Sequence, residues 1–367
     1  MPEVLWWHWL SFGLLVVFLL VLDLGVFHRR DHAPSLRESA LFTAFWVAVG
    51  LTFNGLVWWW GVAAGHGWEM GVTFLSGYLI EESLSMDNIF VFVVIFRFFQ
   101  IPFMYQYRVL FWGILGAIVT RLTFVLLGVG LIQLFEPVTL LFGVFLVYVA
   151  YKLARHGAAD VHPEKNIVLS GARRLFPVSR GDHRQHGHSF FVREGGALCI
   201  TPMFLVLLVI ESTDVLFAVD SVPAVIGIIP KRFPPSLTTF IAFTSNVFAV
   251  LGLRALYFLL AGVVDLFRYL HYGLAAVLAF VGLKMIAEYV FKEFGPSLIA
   301  GLAGYLSIPV TERLRYLVDR AEGGHLIPTW GSLVVIVGIL GISIVASLAA
   351  RHRQGPPKGK ASVESEQ

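Results

Sequence analysis

The residues able to do chemistry in this chain are ionisable side chains set inside otherwise apolar runs. One run reads Leu79-Ile80-Glu81-Glu82-Ser83-Leu84-Ser85-Met86-Asp87-Asn88. A second reads Ile210-Glu211-Ser212-Thr213-Asp214-Val215-Leu216-Phe217-Ala218-Val219-Asp220-Ser221. A charge at the centre of a bilayer costs about 2.5–3.5 kcal/mol on insertion scales, so such residues persist where they pair internally or line a path. Glu81, Asp87, Glu211, Asp214 and Asp220, with Asn88 and Ser221, offer only oxygen, and neither run contains Cys or His. That donor set suits Mg²⁺, Ca²⁺ or Mn²⁺ rather than copper or a structural zinc. Arg121 and Arg254 are the charge-balancing cations, and two of them against five acids leave negative charge for a dication or protons to neutralise.

The two runs are related. Placing Asp87 on Asp220 also places Glu81 on Asp214, Asn88 on Ser221 and Arg121 on Arg254; with one deletion Lys152 falls on Lys284. Acid, acid, arginine and lysine therefore recur in the same order across three spans in each half. Three is odd, so the second copy must run opposite to the first: an inverted repeat of three plus three helices, with the ion site at the midplane between them. Glu82 has no acidic equivalent in the second half. On a continuous helix Glu81, Ser85 and Asn88 share one face, as do Glu211, Asp214, Ala218 and Ser221. Asp87 and Asp220 lie about 120° round from it. They must face a neighbouring helix or sit at a break, and Pro223, which cannot donate to the carbonyl of Val219, predicts a break in the second run.

The elements that must hold these residues are membrane helices. Of the 367 residues 57% are hydrophobic and 14% charged, a departure from soluble proteins in both directions. The apolar residues fall in runs of bilayer-crossing length. The reading is an all-α polytopic membrane protein with about nine transmembrane helices: 4–27, 40–62, 72–96, 108–133, 137–153, 198–229, 236–262, 267–290 and 329–350. The transporter domain is 1–353, with a first repeat at 72–153, a cytoplasmic loop at 154–197, a second repeat at 198–290 and a final span at 329–350. Residues 354–367 read as a disordered cytoplasmic tail. Residues 291–328 hold a short apolar stretch, Ser297–Val310, that is not a span. With the N-terminus outside, 18 Lys and Arg fall in inner segments and 6 in outer ones. That bias sets the N-terminus outside and the C-terminus cytoplasmic. Trp6, Trp7, Trp9, Trp58, Trp59, Trp60, Trp68 and Trp330 near span ends fit an interfacial belt.

Other chemistries are excluded or set aside. Cys199 is the only cysteine, so no intrachain disulfide or CxxC metal site forms. The formal charge of +3 gives no nucleic-acid footprint. No phosphate loop, GxSxG, HExxH or dinucleotide fingerprint stands in a usable context, so the expectation is not an enzyme, with no tightly bound cofactor. An intramembrane aspartyl protease lacks GxGD around Asp87 or Asp220. His183, His186 and His188 lie in the loop at spacings that match no ligand motif and read as solvated. Lys152 and Lys284 end their spans and can snorkel.

At these residues the sequence resembles the TerC family of integral membrane proteins, in its Alx branch. The matching stretches are Glu81-Glu82-Ser83-Leu84-Ser85-Met86-Asp87-Asn88, Phe190-Phe191-Val192-Arg193, Thr201-Pro202, Glu211 to Ala224, Thr244-Ser245-Asn246 and Gly252 to Leu260. The resemblance implies manganese export from the bacterial cytoplasm across the inner membrane, with Glu81, Asp87, Glu211, Asp214 and Asp220 as the acids of the metal path. Residues 291–328 are longer than the family pattern. The expected partners are a divalent cation, the lipid bilayer and protons exchanged for the metal. The alternatives are a Ca²⁺ or Mg²⁺ transporter and a tellurium- or stress-resistance scaffold that transports nothing.

Overall fold

The computed structural model describes residues 4–23, 35–65, 68–156, 166–179, 189–194, 196–261, 270–302, 312, 315–316, 318–319 and 326–354. The described chain is helical apart from one hairpin. In order come α1 (Trp6–Leu22), α2 (Leu36–Ala63), α3 (Glu69–Phe98), α4 (Phe103–Leu134), α5 (Val138–His156) and α6 (Ile167–Leu175). After β1 (Phe191–Glu194) and β2 (Ala197–Ile200) follow α7 (Pro202–Ile228), α8 (Pro235–Ala261), α9 (Leu270–Leu302) and α10 (Thr329–Gln354).

Seven of these, α2, α4, α5 and α7 to α10, are long and apolar enough to cross a membrane. The chain is an integral membrane protein. α1 has 17 residues and falls short of that length. α3 has 30 residues but carries Glu81, Glu82 and Asp87 within its apolar stretch, so composition alone does not mark it as a span.

Local signals set the helix starts. Ser35 and Glu38 cap α2 reciprocally: the Ser35 amide donates to Glu38 Oε2 (2.7 Å) and the Glu38 amide to Ser35 Oγ (3.3 Å). Thr201 caps α7 and Pro202 occupies its first turn, where a missing N–H costs nothing. The sixth apolar run therefore does not begin as helix at 198: Ala197–Ile200 pairs antiparallel with Phe191–Glu194, and the helix starts at Pro202. A second correction concerns Pro223. α7 runs unbroken from Pro202 to Ile228 with Pro223 inside it; neighbouring helices tolerate a lost backbone bond within a bundle. The segment 154–197 is not wholly loop either, since it holds α6 and β1. Residues 157–165 and 180–188, with the three histidines, lie outside the described residues, as does the tail beyond 354. α9 continues to Leu302, so Ser297 lies in the helix; most of 303–325 is outside the description.

α8 is the central helix: 89% of its apolar window is buried within the protein, against 17% for α10. Packing around it is reciprocal. α3 packs on α8, α4 on α7, α5 on α9, α4 on α8 and α3 on α7; exchanging α3, α4 and α5 with α7, α8 and α9 returns the same set. Contacts at glycines give directions. Gly113, Gly116 and Gly128 of α4 meet Ile210, Glu211 and Ile226 of α7 in rising order, so these two helices run the same way. Gly143 meets Ile286 while Gly282 meets Val147, so α5 and α9 run oppositely. The end of the bundle with the α2–α3 turn is tied by ions. Arg232 pairs with Glu69, which also accepts from Thr329 Oγ1 at 3.3 Å. Lys292 pairs with Glu136 and, by that hydrogen bond first, holds its carboxyl below the usual range.

α5 and α9 pack backbone to backbone: a Cβ on Gly143 would stand 2.9 Å from the Gly282 carbonyl oxygen, and one on Gly282 2.7 Å from that of Gly143. Small residues permit such approach between membrane helices. Gly143→Ala or Gly282→Ala should therefore cost about 1–3 kcal/mol as overpacking, seen as a lowered thermal midpoint of the purified protein. An unchanged midpoint for both would contradict this packing.

Candidate ion site between the acidic helices

The centre of the bundle is organised by one guanidinium. Arg121, on α4, is 1% exposed and engages side chains from three other helices. It pairs with Glu81 of α3, and its Nη2 stands 3.5 Å from Asp214 Oδ1 of α7. Its Nη1 donates to Ser221 Oγ of α7 and, at 3.0 Å, to Asn246 Oδ1 of α8. Asn246 is held for this role because its Nδ2 donates to the Ala242 carbonyl at 2.9 Å, leaving its oxygen toward Arg121. Glu81 and Asp214, the acids that a shift of 133 residues superposes, are thus brought onto one cation.

Charge is not balanced around it. Glu81 Oε2 and Asp214 Oδ2 are buried with no hydrogen-bond partner among the described residues, as are Arg121 Nε and Ser85 Oγ. Glu82 adjoins this group, close to Glu81 and Tyr78, with its own Oε2 buried and without a hydrogen bond. Glu211 neighbours Asp214 and lays its carboxylate against Gly116 of α4, where a Cβ would stand 2.0 Å from Oε2. On the α4–α8 side a cavity of about 10 Å³, lined by Gly113, Ala117, Asp214 and Arg254 among others, has room for one water.

The other expected residues lie apart. Asp87 and Asn88 are buried, and Asp87 Oδ1 has no hydrogen bond among the described residues. Six residues of helix put Asp87 about 9 Å along α3 from Glu81, and Asp220 equally far along α7 from Asp214. Asp220 is half-buried, with Lys152 as its charged neighbour. Among the described residues no group of three or more His, Cys, Asp or Glu is gathered to hold a metal. The seven oxygen donors named from the sequence therefore form a central group, Glu81, Asp214 and Ser221 with Glu211 nearby, and outlying positions.

Arg254 corrects the expected pairing. It does not neutralise the acids of α3 and α7: it pairs with Asp23 at the end of α1 and lies over the Tyr107 ring at 4.2 Å. Both partners of the ion pair are 3% exposed or less. Lys284 pairs with Glu288 at 3.9 Å, one turn on. Both are buried, so Lys284 does not reach an interface as expected. Asn246, Gly116 and Asp23 were not marked as functional by the sequence. Asn246 stands in a stretch, Thr244-Ser245-Asn246, that has polarity but no charge. Gly116 and Asp23 carry no signal until their partners are known.

The chain matches the "Integral membrane protein TerC family" over residues 66–355. It belongs to that family. It is 44% identical over 299 residues to "Uncharacterized membrane protein STKORF319" of Myxococcus xanthus, covering 81% of this chain and 89% of that one. It is 40% identical over 328 residues to "Putative membrane-bound redox modulator Alx" of Escherichia coli K12, covering 86% and 97%. It is 42% identical over 261 residues to "Thylakoid membrane protein TERC, chloroplastic" of Arabidopsis thaliana, covering 71% and 63%. No solved structure matches. The TerC match begins at 66, so it includes Arg121 and its four partners but not α1 with Asp23.

Removing one member of a buried ion pair leaves the other charge uncompensated, at a cost of about 3–5 kcal/mol. Asp23→Ala and Arg254→Ala should each destabilise by that amount in thermal or denaturant unfolding. Asp23→Ala combined with Arg254→Ala should cost less than the two single changes added. Additive losses would show that the two residues act separately.

Proposed function

We propose that the chain exports a divalent cation, Mn²⁺, from the cytoplasm by alternating access between two halves, α3–α5 and α7–α9. The observation carrying this reading is that Glu81 and Asp214, equivalent under the 133-residue shift, meet on one buried cation while keeping unsatisfied carboxylate oxygens. Buried surplus carboxylate inside a membrane protein marks an ion route.

The inverted repeat has two supports beyond the sequence. The five main packings between the halves map onto one another when the halves are exchanged. At residue level, the contact of Gly77 with Ser245, shifted by 133, becomes that of Ile210 with position 112, and Ile210 meets Gly113. On this reading α3 and α7 run antiparallel, so Asp87 and Asp220 lie on opposite sides of the central pair. The acids are then three stations about 9 Å apart: Asp87, then Glu81 with Asp214, then Asp220. That replaces a single shell shared by all of them. Nine spans, an N-terminus outside and a cytoplasmic C-terminus in the inner membrane complete the reading, the last two resting on the Lys and Arg bias.

Oxygen donors alone do not separate Mn²⁺ from Mg²⁺ and Ca²⁺; the choice of Mn²⁺ rests on the TerC resemblance. Redox modulation, the wording in the names of the Alx relatives, has no thiol pair to use in this chain, where Cys199 is the only cysteine and is buried.

The test is the manganese content of a manganese-stressed bacterial host. Expression of the intact chain should lower it. Glu81→Ala and Asp214→Ala should abolish the effect, because either removes half of the central station. Asp87→Ala and Asp220→Ala should leave a measurable but weaker effect. If verified membrane insertion leaves manganese unchanged, the export reading fails; if the central substitutions are silent, the ion takes another route.

A further inference from the structure

The partners of Arg121 have the chemistry of a cation's coordination shell. All four are oxygens: a Glu81 carboxylate oxygen, Asp214 Oδ1, Ser221 Oγ and Asn246 Oδ1. They come from α3, α7 and α8 and converge on a group that is 1% exposed. The set is acidic and hard, the type that takes Mn²⁺, Mg²⁺ or Ca²⁺. A guanidinium built in purely as a brace presents a planar fork to a carboxylate and is matched bidentately. Arg121 instead divides its Nη atoms among four acceptors, and among the described residues its Nε, Glu81 Oε2 and Asp214 Oδ2 are buried without a hydrogen bond. The oxygens exceed what this cation uses.

We propose that Arg121 is a tethered counter-ion: its guanidinium fills the cation site while the transporter is empty, and the transported dication displaces it. The proposal rests on the export reading and adds how the empty carrier returns. Glu81 and Asp214 as bare carboxylates contribute a charge of −2, which a membrane interior resists. Arg121 reduces that to −1, so the empty site can turn between the two sides without a second ion loaded from solution. A carrier lacking such a residue, unless protons neutralised its acids, would turn only when loaded and would exchange one metal for another.

Net flux and exchange separate these cases. The intact purified chain is reconstituted into liposomes. ⁵⁴Mn²⁺ uptake is followed into manganese-free vesicles, which reads net flux, and into vesicles preloaded with unlabelled Mn²⁺, which reads exchange. The wild type should do both. Arg121→Gln should lose net flux on the order of a hundred-fold, the rate equivalent of one added uncompensated charge, while exchange persists and half-saturates at lower Mn²⁺. Arg121→Lys retains a cation and should retain net flux. A second readout stands if Arg121→Gln transports nothing: Mn²⁺ should raise its thermal midpoint more than that of the wild type, because no guanidinium must leave. If Arg121→Gln is not recovered folded, Arg121→Lys carries the test. Its ammonium makes fewer contacts, so Mn²⁺ should bind it more tightly than it binds the wild type. The proposal is overturned if Arg121→Gln keeps net flux. It is also overturned if net flux and exchange fall together with no larger Mn²⁺ stabilisation, or if Arg121→Lys binds Mn²⁺ no better than the wild type. A wild type that neither moves Mn²⁺ nor is stabilised by it refutes the export reading instead, whatever the Arg121 variants do.

Discussion

A buried guanidinium fixes the geometry of the whole centre. Arg121 reaches from α4 to α3, α7 and α8, and each of those helices contributes at least one oxygen to it. Burying a full charge is costly unless paired and hydrogen-bonded, so these helices must approach closely and in one register. The glycines allow it: Gly77 takes the Ser245 side chain, Gly113 takes Ile210, and Gly116 takes the Glu211 carboxylate. Sequence spacing, helix packing and electrostatics meet at one point, and the flanking acids are arranged with respect to it.

The second arginine is used differently from the first. Arg121 and Arg254 occupy equivalent positions, yet one sits among the acids and the other is drawn aside by Asp23 and Tyr107. Asp23 caps the end of α1, outside the stretch matched to the TerC family. The end of α1 thus claims one cation, and the acids of α3 and α7 are left with Arg121.

Much of this was legible from the chain alone, for physical reasons. Charges in apolar runs are costly enough to stand out, so Glu81, Asp214 and Arg121 were identifiable as a group. The helices were found because apolar length is a strong signal. What stayed hidden depends on partners. Periodicity and helical rise placed Asp87 off the face of Glu81 and about 9 Å along from it, but did not show that α3, α7 and α8 would gather round Arg121. Pro223 signalled a break that surrounding helices absorb. The pairing of Arg254 with Asp23 joins residues 231 positions apart, across no repeated pattern. Asn246 carries no charge and so gave no cost-based signal. The hairpin before α7 went unseen because its second strand, Ala197–Ile200, continues the apolar run.

Transport through the acids of α3 and α7 requires that this chain by itself move a hard dication. The direct measurement is ⁵⁴Mn²⁺ flux into liposomes containing only the purified protein, set beside protein-free liposomes and beside the Glu81→Ala, Asp214→Ala double variant. The account predicts saturable flux for the wild type, absent from both controls. Flux equal to that of protein-free liposomes, or flux undiminished in the double variant, would contradict it.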